Sequence, residues 1–485
     1  MRIPLGGSEK SFNSKRSRQS LINLIFEHDR SGEFRTIKRT EGLTQLVDLG
    51  NGPIRSDILI NSGFAYVVSG TNLYRFDSAL VVENLGPISG AGRAKLSANS
   101  FQDISGNADN QIFILNGSGS GFTYKNADGL EVVTDVDFFP SSSVAVLNER
   151  FWFPRDGTNE FFGSDLSDGQ SYNALTVGTA DEKPDNVVGI VAKRSALWVL
   201  GGKSIEYWQS FNDPSFPLRR IAGATIERGC ISVDSIAEQE DSFAWLADDS
   251  TVRMITGNRM SKISDLELEL KIKGDGTLTN QGFSITDIQA SFAFWIDGPI
   301  HKIYVLTFPT QGYTWCWDQN TGLSHLRESV INFSSIGRWR ANSVGNFQGK
   351  IVVGDFTLGR IWVLDAAALT EGEEIQITKL RTPSITMETN FTLPLVEIDM
   401  ETGVGINTGQ GSDPLMMVAY SKDGVTFIQK AAVNLGKIGK YRQRVPIRNF
   451  GRVIRNKDFI LEFSTSDPVR IQYYALFAYP KVSIW

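Results

Sequence analysis

The chain has 485 residues, 41% hydrophobic and 21% charged, with a formal net charge of −6; those values exclude a disordered or collagen-like chain, and no stretch reaches the roughly 20 apolar residues of a membrane helix. Its two cysteines, Cys230 and Cys316, lie in apolar strand-like context, which excludes a disulfide framework and makes them packing residues. The length exceeds one ordinary core and predicts two folded bodies, and the abundance of Gly, Phe, Tyr and Trp predicts an all-β chain with little helix.

Residues 1–20 are polar, basic and without period, and read as an arm. They hold no apolar core of a secretory leader, which predicts folding in a cytosol. QSLINLIF from Gln19 starts the ordered part, and LVDLGNGPIRSDILI from Leu46 passes through a Gly-Asn-Gly-Pro turn. Residues 1–56 are therefore expected as an N-terminal arm and lead-in.

From Gly63 to Asp365 a hairpin unit recurs about seven times, each copy an apolar strand, a Gly- or Asp-rich turn and an aromatic strand. GFAYVVSGTNLYRFD from Gly63, GIVAKRSALWVLGGKSIEYWQS from Gly189 and GNFQGKIVVGDFTLGRIWVLD from Gly345 are examples. An isolated hairpin cannot bury enough apolar surface, whereas sheets stacked around an axis cover both faces of each copy. The expectation over residues 57–369 is a β-propeller of about seven hairpin-based units. DLELELKIKGDGTLTNQG from Asp265 is expected as an exposed hairpin arm, because its Leu and Glu alternate before a Gly-Asp-Gly turn.

TEGEEI from Thr370 is a charged junction, after which the repeat stops. ITMETNFTLPLVEIDMETG alternates, LMMVAYSKDGVTF makes a hairpin around Asp423-Gly424, and DFILEFSTSDPVRIQYYALFAY makes two further strands. Residues 370–485 are expected as a C-terminal β-sandwich.

Charge is unevenly spread. Lys430 to Lys457 holds nine Lys or Arg and no Asp or Glu; with −1 after it, the overall −6 leaves −14 for residues 1–429. Such a strip marks contact with something acidic or polyanionic. Lys437, Lys440, Arg442, Arg444, Arg448, Arg452, Arg455 and Lys457 are the candidate partner-docking residues. Three readings stand: docking on an acidic protein face, which is preferred, a solvated face, and binding of DNA backbone. The strip lacks regularly interleaved aromatics, having Tyr441 and Phe450 alone. In the acidic remainder, Asp265, Glu267 and Glu269, or Glu371, Glu373 and Glu374, are candidates for a DNA-repelling lumen or for ordinary surface solubility.

No catalytic constellation emerges. His28, His301 and His325 are isolated, the cysteines have no CxxC partner, and GSGSG from Gly117 lacks the Lys and helix of a phosphate loop and reads as a hairpin tip. No catalytic, metal or cofactor residue is assigned. The enzymatic alternative is a sialidase-like glycosidase, because Ser421 to Phe427 faintly resembles an Asp-box turn and Ser164 to Gly169 repeats it loosely. Asp423 and Asp168 are expected instead to satisfy their own turns. A second alternative is a propeller that binds a host glycan or surface receptor.

Several stretches resemble, in order, the tail hub or nozzle proteins of short-tailed bacteriophages, the packaged DNA stabilisation family. They are Leu21-Ile22-Asn23-Leu24, GNGPIR from Gly50, YVVSGTNLYRFD in the first repeat, RDGTNEFFGSDLSDGQSYNA from Arg155, VVGIVAKRSALWVLGGKSIEYWQ from Val187 and FGRVIRNKDFILEFSTSDPVRI from Phe450. Ile263 to Asn342 matches least. The resemblance implies a non-enzymatic virion protein, assembled in the cytoplasm of the infected bacterium as a homohexameric ring of the tail. It implies a ring that extends the portal channel, retains packaged double-stranded DNA without sequence preference, and joins a head-to-tail adaptor or portal-proximal protein to tail needle, fibre or spike proteins. No membrane insertion is implied.

Overall fold

The computed structural model describes residues 2–3, 9–10, 18–28, 35–100, 109–213, 216–257, 259–274, 281–424, 426–430, 432–455 and 457–482. Most of the N-terminal arm expected from the sequence lies outside these residues.

Each repeat is an antiparallel meander. The first comprises Leu59–Asn61, Phe64–Ser69, Asn72–Phe76 and Val82–Pro87, the second Lys95–Ala98, Ile112–Leu115, Gly121–Lys125 and Gly129–Val132. Sheets of four strands follow over residues 145–179, 187–220 and 237–262. Phe292–Asp297, Lys302–Phe308, Tyr313–Asp318 and Ser324–Leu326 form the next meander, then Ala341–Phe347, Lys350–Asp355 and Arg360–Asp365.

The sheets are joined by their buried faces, as a propeller requires. Tyr66, Val68 and Leu73 pack with Ile112, Ile114 and Phe122 of the next sheet, and Phe113 and Leu115 pack with Phe151, Phe153 and Phe162 of the one after. The same pattern runs through each following pair until Val352 and Ile361 meet Val67 and Phe76, which returns the circle to the first sheet. Hairpin tips reuse one device, an Asp or Asn side chain that accepts the N–H two residues on: Asp77 from Ala79, Asn116 from Ser118, Asp318 from Asn320, Asp355 from Thr357. Arg55 of the Gly-Asn-Gly-Pro-Ile-Arg stretch is buried and donates to the carbonyls of Gly70, Ile88, Gly92 and Asn116, tying the first sheet to the second. Gly359 lies so close to that stretch that a Cβ would meet the Asn51 carbonyl at 1.9 Å.

The structure corrects the reading of residues 1–56 as an arm and lead-in. Gly42–Asp48 pairs antiparallel with Arg360–Asp365 and completes the last sheet of the ring with the start of the chain. Arg18–Ile22 lies between Ser324–Leu326 of the ring and Thr378–Arg381, which pairs in turn with Ile460–Thr465 and then Leu415–Ser421. One sheet thus runs from the propeller into the sandwich. Leu24–His28 and Arg35–Arg39 join the opposing sheet, beside Gln472–Val482, Phe391–Met400 and Val445–Arg448. The sandwich core holds Leu21, Leu24, Phe26 and Ile37 among Val396, Val418, Leu461, Phe463 and Leu476. The cause of the misreading is distance, since Arg18–Ile22, Arg35–Arg39 and Gly42–Asp48 find partners three hundred or more residues away, which no local period reports.

The expected hairpin arm at Asp265 is a second correction. Leu266–Lys273 is an α-helix, capped by the Asp265 carboxylate on the Leu268 N–H and ended at Gly274, with Leu268 and Ile272 buried one turn apart. Alternation of Leu and Glu satisfies a four-residue spacing as well as a two-residue one, and the cap decided between them. A short helix, Ile285–Gln289, follows with a Ser284–Asp287 capping box. No described helix is long and apolar enough to cross a membrane.

The innermost strands line a cavity of about 420 Å³. Lys95 Nζ, on the second sheet, lies 3.1 Å from Asp234 Oδ1, in the turn Val233–Ser235 ahead of the 237–262 sheet on the far side of the axis. It is also 3.6 Å from Asp57, which Arg93 holds at 3.0 Å, and Lys193 meets Glu238 at 3.0 Å. A duplex whose major groove alone is about 12 Å wide cannot thread an axis crossed by ion pairs.

Two outcomes follow from these contacts. Arg55→Ala leaves buried carbonyls without a donor and is expected to lower unfolding stability by about 3 kcal/mol; an unchanged denaturant midpoint would remove Arg55 as a staple. Burial pushes the Asp57 carboxyl up, but Lys95 and Arg93 outweigh it and hold the carboxyl below its usual range. The ionised form therefore adds stability above the unfolded pKa of about 3.9, lost as pH falls through the lower folded value. Asp57→Asn should be less stable than the natural chain at neutral pH, with the gap narrowing below about pH 4; a pH-independent gap in unfolding curves counts against this account.

Candidate functional site

The residues considered for catalysis are occupied by their own turns. Asp423 Oδ1 accepts from the Ser421 hydroxyl at 2.8 Å and the Thr426 N–H at 2.7 Å, and Asp168 accepts from the Gln170 N–H and the Ser171 hydroxyl. Gly117 and its neighbours form a hairpin tip organised by Asn116. Burial pushes the His325 imidazole down to about 3, and His301 is held by Asp318 at 2.8 Å. Cys230 and Cys316 are buried, and burial pushes both thiols up to about 12. Among the described residues no group of His, Cys, Asp or Glu is placed to hold a metal ion.

The acidic residues considered for a lumen are largely engaged inside the fold. Asp265 caps its helix and accepts from Trp315 Nε1 and the Ser324 hydroxyl, and Glu269 pairs with Lys262. Glu371 is buried beside Gly42–Asp48, where desolvation raises its carboxyl above the usual range against the pull of Arg327 and Arg340. Arg340 itself pairs with Asp355 at 3.1 Å and with Glu374. Of the two triplets, Glu373 is the exposed member.

The basic strip has the opposite character, because all eight candidate docking residues are exposed. Lys437, Lys440, Arg442 and Arg444 occupy a loop; Arg448 ends Val445–Arg448, the edge strand of the second sandwich sheet; Arg452 opens the short strand Arg452–Val453, which pairs with Phe391–Met400, and Arg455 and Lys457 follow it. That edge is the one farthest from Leu24–His28. Two pairs that the strip makes within the chain are loose, Lys437 to Asp413 at 3.9 Å and Arg444 to Glu397 at 3.8 Å, and solvent screens such pairs strongly. The loop from Lys437 to Arg444 is thus exposed and only loosely paired within the chain.

Its backbone is fixed. Gln443 Nε2 donates to the Asn434 carbonyl, Asn434 Oδ1 accepts from the Gly436 N–H, and the Gly439 N–H reaches the Gly403 carbonyl. Lys430 folds back over the Phe450 ring, and its ammonium donates to the carbonyls of Arg448 and Asn449 at 2.9 Å. With Pro446, which has no N–H to offer, this blunts the edge strand against strand addition. Charge counting began the strip at Lys430, whose role is internal and which is not among the eight candidates. Charge counting gave no role to Ile438 or Tyr441, which are exposed by 52% and 69% beside them.

Comparison with known proteins agrees with this architecture. The family described as bacteriophage P22 Gp10, β-propeller, matches residues 1–369, and the family described as bacteriophage P22 Gp10, β-sandwich, matches residues 378–478. The tail hub protein gp10 of Salmonella phage P22 is 22% identical over 449 residues, covering 89% of this chain and 88% of that protein. Among solved structures, a streptogramin B lyase has a TM-score of 0.39 at 10% identity, over 66% of this chain and 95% of its own. The Pan2 WD40 domain of Neurospora crassa has the same TM-score at 8% identity, over 67% of this chain and 94% of its own. Likenesses at that level carry no weight for this chain. The ordered match of both parts over most of the length does, and the chain belongs to the bacteriophage P22 Gp10 family, a β-propeller followed by a β-sandwich.

Proposed function

We propose that this protein is a non-enzymatic tail hub subunit of a short-tailed bacteriophage. Copies of it form a homohexameric ring below the portal, extend the exit channel, help retain packaged DNA and connect to further tail proteins. The observation that carries this reading is the match of both family descriptions, in order, over residues 1–369 and 378–478. We read the propeller as seven wedges: five free-standing four-stranded sheets, the 292–326 sheet that continues into the sandwich, and the last sheet closed by Gly42–Asp48. The subunit divides into residues 57–369 as propeller and 370–485 as sandwich, with 1–56 serving both. Because ion pairs cross the propeller axis, DNA passes between subunits, around the ring's own axis. The cations of the strip serve protein docking, steered by complementary charge. No chemical step is assigned, and the protein's place is the virion tail, reached by assembly in the host cytoplasm.

Imaging the purified protein with and without its head-to-tail neighbour tests the ring. Rings of cyclic symmetry are expected in at least the second setting, and strictly monomeric particles in both would falsify the hub reading. Changing Arg442, Arg444, Arg448 and Arg452 together to Ser should leave the unfolding midpoint of the isolated chain within about 1 kcal/mol of the natural value while abolishing incorporation into phage particles. Normal incorporation would end the docking role of the strip.

A further inference from the structure

The outer margin of the propeller carries a second unusual surface, on the second and third sheets. Val132, Val136 and Leu175 are exposed by 53%, 89% and 75%, among the acidic residues Glu131, Asp135 and Asp137. This surface is built rather than loose. The register between Glu160–Asp165 and Asp168–Thr179 slips from Phe162 opposite Val177 to Ser164 opposite Tyr172, which loops out residues 173–176. Asn173 Oδ1 accepts the Leu175 N–H and holds the tip of that bulge. Asp135 Oδ2 accepts the Tyr172 N–H at 3.1 Å and pins the bulge to the loop that carries Val136. Clustered apolar side chains displayed among acids mark a place where another protein sits.

The composition of its counterpart is present on the same chain. The loop from Lys437 to Arg444 displays Ile438 and Tyr441 among Lys437, Lys440, Arg442 and Arg444, so that apolar meets apolar and cation meets carboxylate. Within one molecule the two surfaces belong to different sheets. The sandwich continues from the 292–326 sheet, and the bulge surface lies three sheets away from it in either direction around the propeller. Complementary patches on opposite sides of a molecule make a heterologous, head-to-tail contact, which closes into a ring when the rotation allows.

We propose that the loop Lys437–Arg444 of one copy docks on the surface formed by residues 131–137 and the bulge at Leu175 of the next copy, and that this contact joins the ring. The inference rests on the hub reading, since it names the surface by which copies meet. It also gives the strip its partner, a second copy of this chain.

Two cysteine pairs test it on the full-length protein, Leu175→Cys with Tyr441→Cys and Val136→Cys with Ile438→Cys, the natural Cys230 and Cys316 being buried. Treatment with a short bis-maleimide, applied to purified protein and to assembled particles, should give a ladder of covalent multimers ending at a closed ring. Each single variant should give no ladder, because a head-to-tail contact does not bring a residue to its own copy. Lys437→Glu with Arg442→Glu should lower the ring fraction by about tenfold or more through like-charge contact, and adding Glu131→Lys with Asp137→Lys should restore it. Rings that form without cross-links and tolerate the reversals overturn this contact and leave the hub reading standing. Absence of rings in the natural protein, alone and in particles, overturns both.

Discussion

The pairing of the N-terminal segment with strands from the far end of the chain holds this molecule together. Residues 18–48 supply strands to three sheets: Arg18–Ile22, Arg35–Arg39 and Gly42–Asp48 have partners hundreds of residues away, and Leu24–His28 joins through its hairpin with Arg35–Arg39. Gly42–Asp48 closes the ring of sheets, so the last hydrophobic interface of the propeller exists only once the chain's two ends of that region have met. The entropy of such a closure grows slowly with loop length, and a full ladder of backbone hydrogen bonds with Leu43 and Val47 buried offsets it.

Polar side chains make the junction specific. Asn23 adopts a left-handed backbone, which Asn tolerates better than most residues, and aims its amide at the carbonyls of Glu328 in the ring and Ile377 in the approach to the sandwich. Arg39 is buried and donates to Gln376 and to the carbonyls of Asp467 and Val469, with its guanidinium lowered to about 10 by desolvation. Each group binds backbone that must already be in place, so partial docking leaves buried polar atoms unpaired. Propeller and sandwich accordingly share one sheet and one set of staples, and force applied to one body passes to the other through hydrogen-bonded strands.

That continuity of sheet and staples suits a structural tail hub. The axis is bridged by Lys95 and Asp234, the turn aspartates are consumed by their own backbones, and the buried acids balance buried arginines. What remains chemically available lies on the outside: the cationic loop at the far edge of the sandwich, and the acidic, apolar bulge across the propeller. Pro446 and Lys430 blunt the sandwich edge against strand addition.

Elements with local signals were legible in the sequence. Alternating apolar residues in the recurring hairpins, Asp and Asn at the tips, and the uninterrupted run of cations at 430–457 each depend on neighbours within a few residues, so period, turn chemistry and charge counting find them. The helix at Leu266–Lys273 was missed because Leu268 and Ile272 fit either period, and the cap at Asp265 is a contact that alternation does not record. Which acids face solvent was also hidden, since Glu371 and Glu373 differ by two positions in one charged run and only packing buries the first. The amino-acid order by itself thus determined the strands, their turns and the cationic segment, all consequences of local backbone and side-chain preference. Tertiary structure alone decided that the opening residues would close the ring and bind the two bodies. Those outcomes depend on contacts between segments hundreds of residues apart, whose energies appear only when the whole chain has folded.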